Sequence, residues 1–179
     1  MKTMKQNRRV RKIKVDKQGK ISIDWEVRAE GLSTWDEYHM KCSDLARPEF
    51  YNALVDLRQD VLTLLEYPKT WLDDILVKGV SFSYSDDSDY AVKGAVISGQ
   101  RTLQYSASPA NFNTPHKPYK MYNENAEDTD GIIVMPEEIQ ERLDVLDDEA
   151  NKYIDGDRAQ MKLKFDDVRK PDKQQEKSA

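Results

Sequence analysis

Few residues of this sequence are of a type and spacing that could do chemistry. His39 and Cys42 form a compact pair with zinc affinity, but their offset of three sends them to opposite faces of a strand, and two ligands do not close a tetrahedral site. His116 is the only other histidine and Cys42 the only cysteine, so there is no disulfide framework and no Cys-based zinc site. Carboxylates cluster at Asp73-Asp74, Asp86-Asp87-Asp89 and Asp147-Asp148-Glu149. Paired acids can hold magnesium or exchange protons. The central cluster, however, lacks the Gly and terminal Glu of a calcium loop, and its Asp and Ser residues suit a solvated turn. The glycines are scattered singly, so none builds a phosphate cradle, and no Ser or Cys lies in a nucleophile motif. These residues predict a non-enzymatic protein with no metal, no cofactor and no small-molecule substrate.

Charge carries more information. Residues 1–20 hold nine basic side chains against Asp16 alone and so carry +8, while the formal total of −5 leaves −13 for the rest. A basic stripe on an acidic body attracts phosphates locally, without coating the molecule. The candidate nucleic-acid contacts are Arg8, Arg9, Arg11, Lys12 and Lys14, binding weakly and without sequence preference. The competing reading is an edge strand whose lysines discourage sheet-to-sheet pairing.

The elements that position these residues follow from periodicity. Ile13 and Val15, then Ile21, Ile23, Trp25 and Val27, alternate with polar residues across the turn Asp16-Lys17-Gln18-Gly19, which predicts a β-hairpin. Thr34 to Cys42 suits a third strand. Phe50, Leu54, Leu57, Val61, Leu64 and Leu65 recur at helical spacing between Pro48 and Pro68 and predict one helix over 48–66. Thr70 to Asp74 adds a short helical turn. Period two returns from Ile75 through Tyr84 and again from Tyr90 through Ile97, a second hairpin, in which Gly79 and Gly94 mark a bulge or a close backbone approach. This hairpin carries Phe82, Tyr84, Tyr90 and Tyr105, with Lys78, Lys93 and Arg101, but core packing accounts for the rings better than base stacking does. The strand continues past a bend at Gly99 to Tyr105, and Ser108-Pro109 with Pro115 and Pro118 predict irregular chain around Asn111 to Tyr119. Residues 120–131 read as an exposed acidic loop, Ile132 to Val134 as an apolar anchor, and Ile139, Leu143, Leu146, Ala150, Tyr153 and Ile154 as the stripe of a second helix over 137–155, ended by Gly156.

The result is an α+β fold: an antiparallel or mixed sheet of two hairpins and a third strand, with two main helices packed on it. At 38% hydrophobic and 34% charged residues, one core is possible only if the termini stay outside it. Residues 1–157 form the predicted domain and 158–179 a charged tail. No apolar run reaches the length of a membrane helix, and no signal peptide is evident.

Gln160-Met161-Lys162-Leu163-Lys164-Phe165 resembles the six-residue bacterial sliding-clamp-binding motif. Gln160 matches the leading polar contact, Met161 stands where Leu is commoner, and Leu163 and Phe165 match the apolar anchors. The resemblance implies an extended peptide docked by a few hot-spot side chains. The alternating pattern also suits an edge strand. More broadly, the chain resembles uncharacterised early-region proteins of bacteriophages and prophages. That resemblance is carried by Val77-Lys78-Gly79-Val80-Ser81-Phe82-Ser83-Tyr84, by Asn113-Thr114-Pro115-His116-Lys117-Pro118 and by the helix end at Tyr153 to Gln160. It implies a setting in phage DNA replication or recombination, in the host bacterial cytoplasm.

The expected function is an accessory protein that docks on the bacterial sliding clamp through Gln160, Met161, Leu163 and Phe165. One alternative is a single-stranded DNA-binding or annealing-assisting module that uses the basic hairpin. Another is an acidic inhibitor of a host enzyme.

Overall fold

The computed structural model of the protein describes residues 7–85, 92–120 and 133–159. Period two in the sequence becomes seven antiparallel strands: β1 (Asn7–Val15), β2 (Ile21–Arg28), β3 (Asp36–Cys42), β4 (Ile75–Ser85), β5 (Val92–Leu103), β6 (Ser106–Asn113) and the two-residue β7 (Lys117–Pro118). The sheet runs β3-β2-β1-β4-β5-β6, and β7 also pairs with β5. Helices α1 (Pro48–Asp56), α2 (Arg58–Leu64) and α3 (Glu137–Ile154) cover one face, and a 3₁₀ helix spans Lys69–Asp74. The α+β class holds. No helix among the described residues is long and apolar enough to cross a membrane.

The core lies between the helices and that face. Ile13, Ile23, Val80 and Ile97 are paired across neighbouring strands, and all are buried against Phe50, Leu57, Val61, Leu143 and Leu146. Burying one such side chain contributes roughly 1.5–3 kcal/mol, so the helical stripe and the strand alternation stabilise each other.

The expected helix over 48–66 is two. Leu57 separates α1 from α2, and no Gly or Pro marks the break. A tertiary ion pair accompanies it: Asp60, only 2% exposed, accepts two bonds at 2.6 and 2.8 Å from Arg142 of α3. Burial pushes the Asp60 carboxyl above its usual range, and Arg142 opposes that shift. A carboxylate in that position is tolerable only because the guanidinium is seated on it.

Two further expectations are corrected. The chain around Asn111 to Tyr119, expected to be irregular, starts instead within the edge strand β6, Ser106–Asn113. Only Phe112 among its eight residues is buried, so apolar alternation is missing, and Pro109 is accommodated because an edge strand leaves some N–H groups unpaired. Of the expected anchor Ile132 to Val134, Ile132 lies outside the described residues and Ile133 is 69% exposed, whereas Met135 is buried at 2%. Met135 N–H donates to the Pro118 carbonyl at 2.8 Å, and that bond, not an apolar run, ties down the chain there.

Candidate nucleic-acid interface

The face of the sheet away from the helices is open, and β1 crosses its middle. Strict alternation back from Val15 would put Lys14, Lys12, Val10 and Arg8 on that open face. A bulge intervenes, because Val10 pairs with Trp25 while Lys12 already pairs with Asp24, leaving Arg11 as the extra residue. The bulge turns Val10 into the core at 0% exposure and moves Arg8 to the helix side. There both terminal guanidinium nitrogens of Arg8 donate to Asp155 Oδ1 at 2.8 Å.

The five basic candidates therefore do not act as one group. Arg9 Nε donates to Glu26 Oε2 at 2.6 Å, and its guanidinium lies 3.8 Å from the Trp35 ring centroid and 4.9 Å from that of Tyr84. Arg28 lies 4.7 Å from the same Trp35 ring. Arg11 Nε is 3.6 Å from Glu26 Oε1. Lys12 and Lys14 are exposed, and neither forms an ion pair among the described residues.

Those two lysines rim a groove of about 440 Å³ on the open face, shared by β1, β4, β5 and β6. Lys17 in the hairpin turn and Lys78 on β4 join them, and Ser81, Ser98, Gln100, Asn111 and Asn113 supply polar lining. The pairing that closes it is short: β1 and β4 match only from Lys12–Ser81 to Lys14–Gly79. Gly79 makes the approach possible, since a Cβ there would collide with the Ile13 carbonyl oxygen. Lys78 sits at the β4 bulge between Val77 and Gly79, which is how a residue over sixty positions away reaches Lys12 and Lys14.

Asp16 is the one carboxylate that lines the groove among the described residues, and it is engaged elsewhere. It accepts the backbone N–H of Gln18 at 2.8 Å and of Lys20 at 2.9 Å, and Lys41 Nζ is 3.2 Å away. The Lys20 N–H, together with Lys41 and Gln18, holds its carboxyl below the usual value. Four lysines thus face one anion that is already committed to the turn.

The floor offers hydroxyl and amide groups. Gln100 Nε2 donates to Asn111 Oδ1 at 3.0 Å, leaving an acceptor on Gln100 and donors on Asn111 for a ligand. Phe112 lines the groove but is only 8% exposed, and the hairpin rings lie elsewhere: Phe82 is buried, Tyr84 donates its hydroxyl to the Val10 carbonyl at 2.9 Å, and Tyr105 is 93% exposed at the end of the β5–β6 hairpin. Burial raises the Tyr84 phenol pKa. Lys93 binds Asp144 and Asp147 of α3 at 3.0 and 2.7 Å on the helix side. Arg101 stacks 3.1 Å from the Trp71 centroid. Tyr90 lies outside the described residues.

Other chemistry is weaker. His39 pairs with Asp24 on the open face, while Cys42 packs against the core, so the two diverge as their spacing requires. Asp147 is bound to Lys93 and Glu149 to Lys152. Among the described residues no group of three His, Cys, Asp or Glu side chains could hold a metal. Ser83 Oγ and His116 Nε2 are 2.7 Å apart, a dyad with no carboxylate bonded to the imidazole among the described residues. Gln160, Met161, Leu163 and Phe165 lie outside the described residues. Comparison with protein-family models, with curated proteins and with solved structures finds no match for this chain.

Proposed function

We propose that this protein is a non-enzymatic module that binds the backbone of single-stranded nucleic acid along the open face of its sheet. The observation that carries this reading is the groove in which Lys12, Lys14, Lys17 and Lys78 stand around a mixed lining of Ser, Asn and Gln side chains with Val96 and Phe112, and in which Asp16, its one carboxylate among the described residues, is already committed. Four mobile ammonium groups match phosphates spaced along an extended strand, and hydroxyls and amides accept or donate to sugar oxygens. The lining has no platform of exposed aromatic rings, so bases are not stacked and binding is indifferent to sequence. The setting implied by the phage early-region resemblance, DNA replication or recombination, agrees with such a role.

The test is retention of a labelled single-stranded oligonucleotide across a salt series. Two to four phosphate contacts give a slope of roughly −1.4 to −2.8 in log affinity against log salt, at about 0.7 per contact. No binding at low salt, or a slope near zero, contradicts the proposal. Equal affinity for a duplex would replace the single strand as ligand.

A second reading rests on Gln160 to Phe165, whose match to the clamp-binding motif follows closely on the end of α3. On that reading the domain places a docking peptide on the sliding clamp. Replacing Leu163 and Phe165 by Ala removes two anchors worth about 2 kcal/mol each, and clamp capture by the double variant at wild-type level would end it.

A further inference from the structure

The described chain ends beside a small apolar cleft. Ala159 N–H donates to the Leu45 carbonyl at 3.0 Å, and the next residue, Ala46, donates its N–H to the Tyr51 hydroxyl at 3.3 Å. Tyr51 opens a cleft of about 150 Å³ that continues past Val55 and Arg58 to Leu76 and Lys78. That is room for one large side chain. Tyr51 and Val55 lie at i, i+4 on one face of α1, and Arg58, the first residue of α2, lines the same cleft. Leu45, Val55 and Leu76 along this route are 56%, 50% and 51% exposed, three apolar side chains left in water in sequence. At the far end, Arg58 Nε is buried with no hydrogen-bond partner among the described residues.

We propose that this cleft is the seat of the chain's own residues 161–167. Met161, Leu163 and Phe165 alternate with Lys162 and Lys164 and are followed by Asp166 and Asp167. An extended peptide with that pattern lays its apolar side on Leu45, Val55 and Leu76 and keeps both lysines in solvent. Its two carboxylates then arrive where Arg58 stands. Reach is sufficient: six extended residues from Ala159 to Phe165 span about 20 Å, while the helical path from Arg47 to Arg58 rises about 16 Å. A tether this short sets a local concentration in the millimolar range, so weak intrinsic contacts suffice. This assignment does not depend on nucleic-acid binding at the open face or on any other partner of the peptide.

The test uses the full chain and trypsin, which cuts after Lys162 and Lys164. In the docked protein these sites are protected, and Val55→Asp, a change at a half-exposed helix position, accelerates their cleavage about tenfold. Leu76→Asp, on a different element, does the same and guards against a folding artefact in either variant. Circular dichroism confirms that both variants are folded. Cleavage of the wild type as fast as of the two variants overturns the proposal, and so does protection unchanged by either substitution. Protection lost on dilution assigns the cleft to the tail of a second copy and also overturns it.

Discussion

The two halves of β1 carry nearly the same charge and do opposite things with it. In the first half Arg8, Arg9 and Arg11 face Asp155, Glu26 and Glu26 at 2.8, 2.6 and 3.6 Å, and Arg9 is also flattened on Trp35. In the second half Lys12 and Lys14 form no ion pair among the described residues: the groove carboxylate Asp16 is held by the hairpin turn, and Asp24, the cross-strand neighbour of Lys12, pairs with His39. Formal charge in a sequence is therefore not the charge a ligand meets. The bulge at Arg11 divides the strand, and on either side of it guanidiniums are spent on cohesion while ammonium groups stay available. Residue type agrees with this division, since Arg forms fixed, stacked and paired contacts and Lys remains a hydrated point charge.

The largest effect should come from the paired half. Arg9→Ala strips a guanidinium from Glu26, whose side chain is only 10% exposed, and leaves that carboxylate with the more distant Arg11. Breaking a largely buried pair from one side costs about 3 kcal/mol, which in a protein of this size lowers Tm by roughly 6–12 °C. A melting curve within about 1 °C of wild type would show that Glu26 does not need Arg9.

Arg8→Ala sharpens the same comparison at lower amplitude. Its partner Asp155 is 62% exposed, so the pair is worth about 0–1 kcal/mol. Melting should shift by no more than about 2–4 °C, and oligonucleotide affinity should be unchanged. A fall in affinity would return Arg8 to the ligand side of the strand.

The smallest effect is on pH dependence. Burial raises the Asp147 carboxyl above its usual 3.8, against the pull of Lys93. An acid with a raised folded pKa binds its proton more tightly when folded, so this group's contribution to stability falls as pH rises from 3.8 through the folded value and is constant above it. Asp147→Asn should remove that part of the slope from a Tm-against-pH curve. An unchanged acid limb would place the titration elsewhere.

What sequence pattern could and could not reveal follows from locality. The first hairpin, β4 with β5, and α3 with its buried Leu143 and Leu146 were legible, because period and punctuation are local properties. The break at Leu57 was not, since what accompanies it is the Asp60–Arg142 pair, whose partners are 82 residues apart. β6 was hidden because an edge strand buried at one residue has no apolar alternation to read. At the candidate site Lys12 and Lys14 were visible in the charge count, but their separation from Arg8 depends on a bulge that no Gly or Pro announces. Lys78 could have been suspected from the adjacent Gly79, the mark of a close backbone approach. Asn111 and Asn113 gave no signal, because they matter only through their pairing with Gln100 and Ser98.

The central claim is that only the unpaired half of β1 meets nucleic acid, and equal charge removal from the two halves tests it directly. Lys12→Gln with Lys14→Gln, and Arg8→Gln with Arg11→Gln, each delete two positive charges from the same strand. Affinity for a labelled single-stranded oligonucleotide is measured for both pairs at about 50 mM salt and along a salt series. The account predicts that the lysine pair loses about tenfold in affinity and roughly 1.4 in salt slope, at 0.7 per phosphate contact, while the arginine pair stays within about twofold of wild type. Equal losses from the two pairs would mean that the strand acts through its total charge, and would contradict the division drawn here.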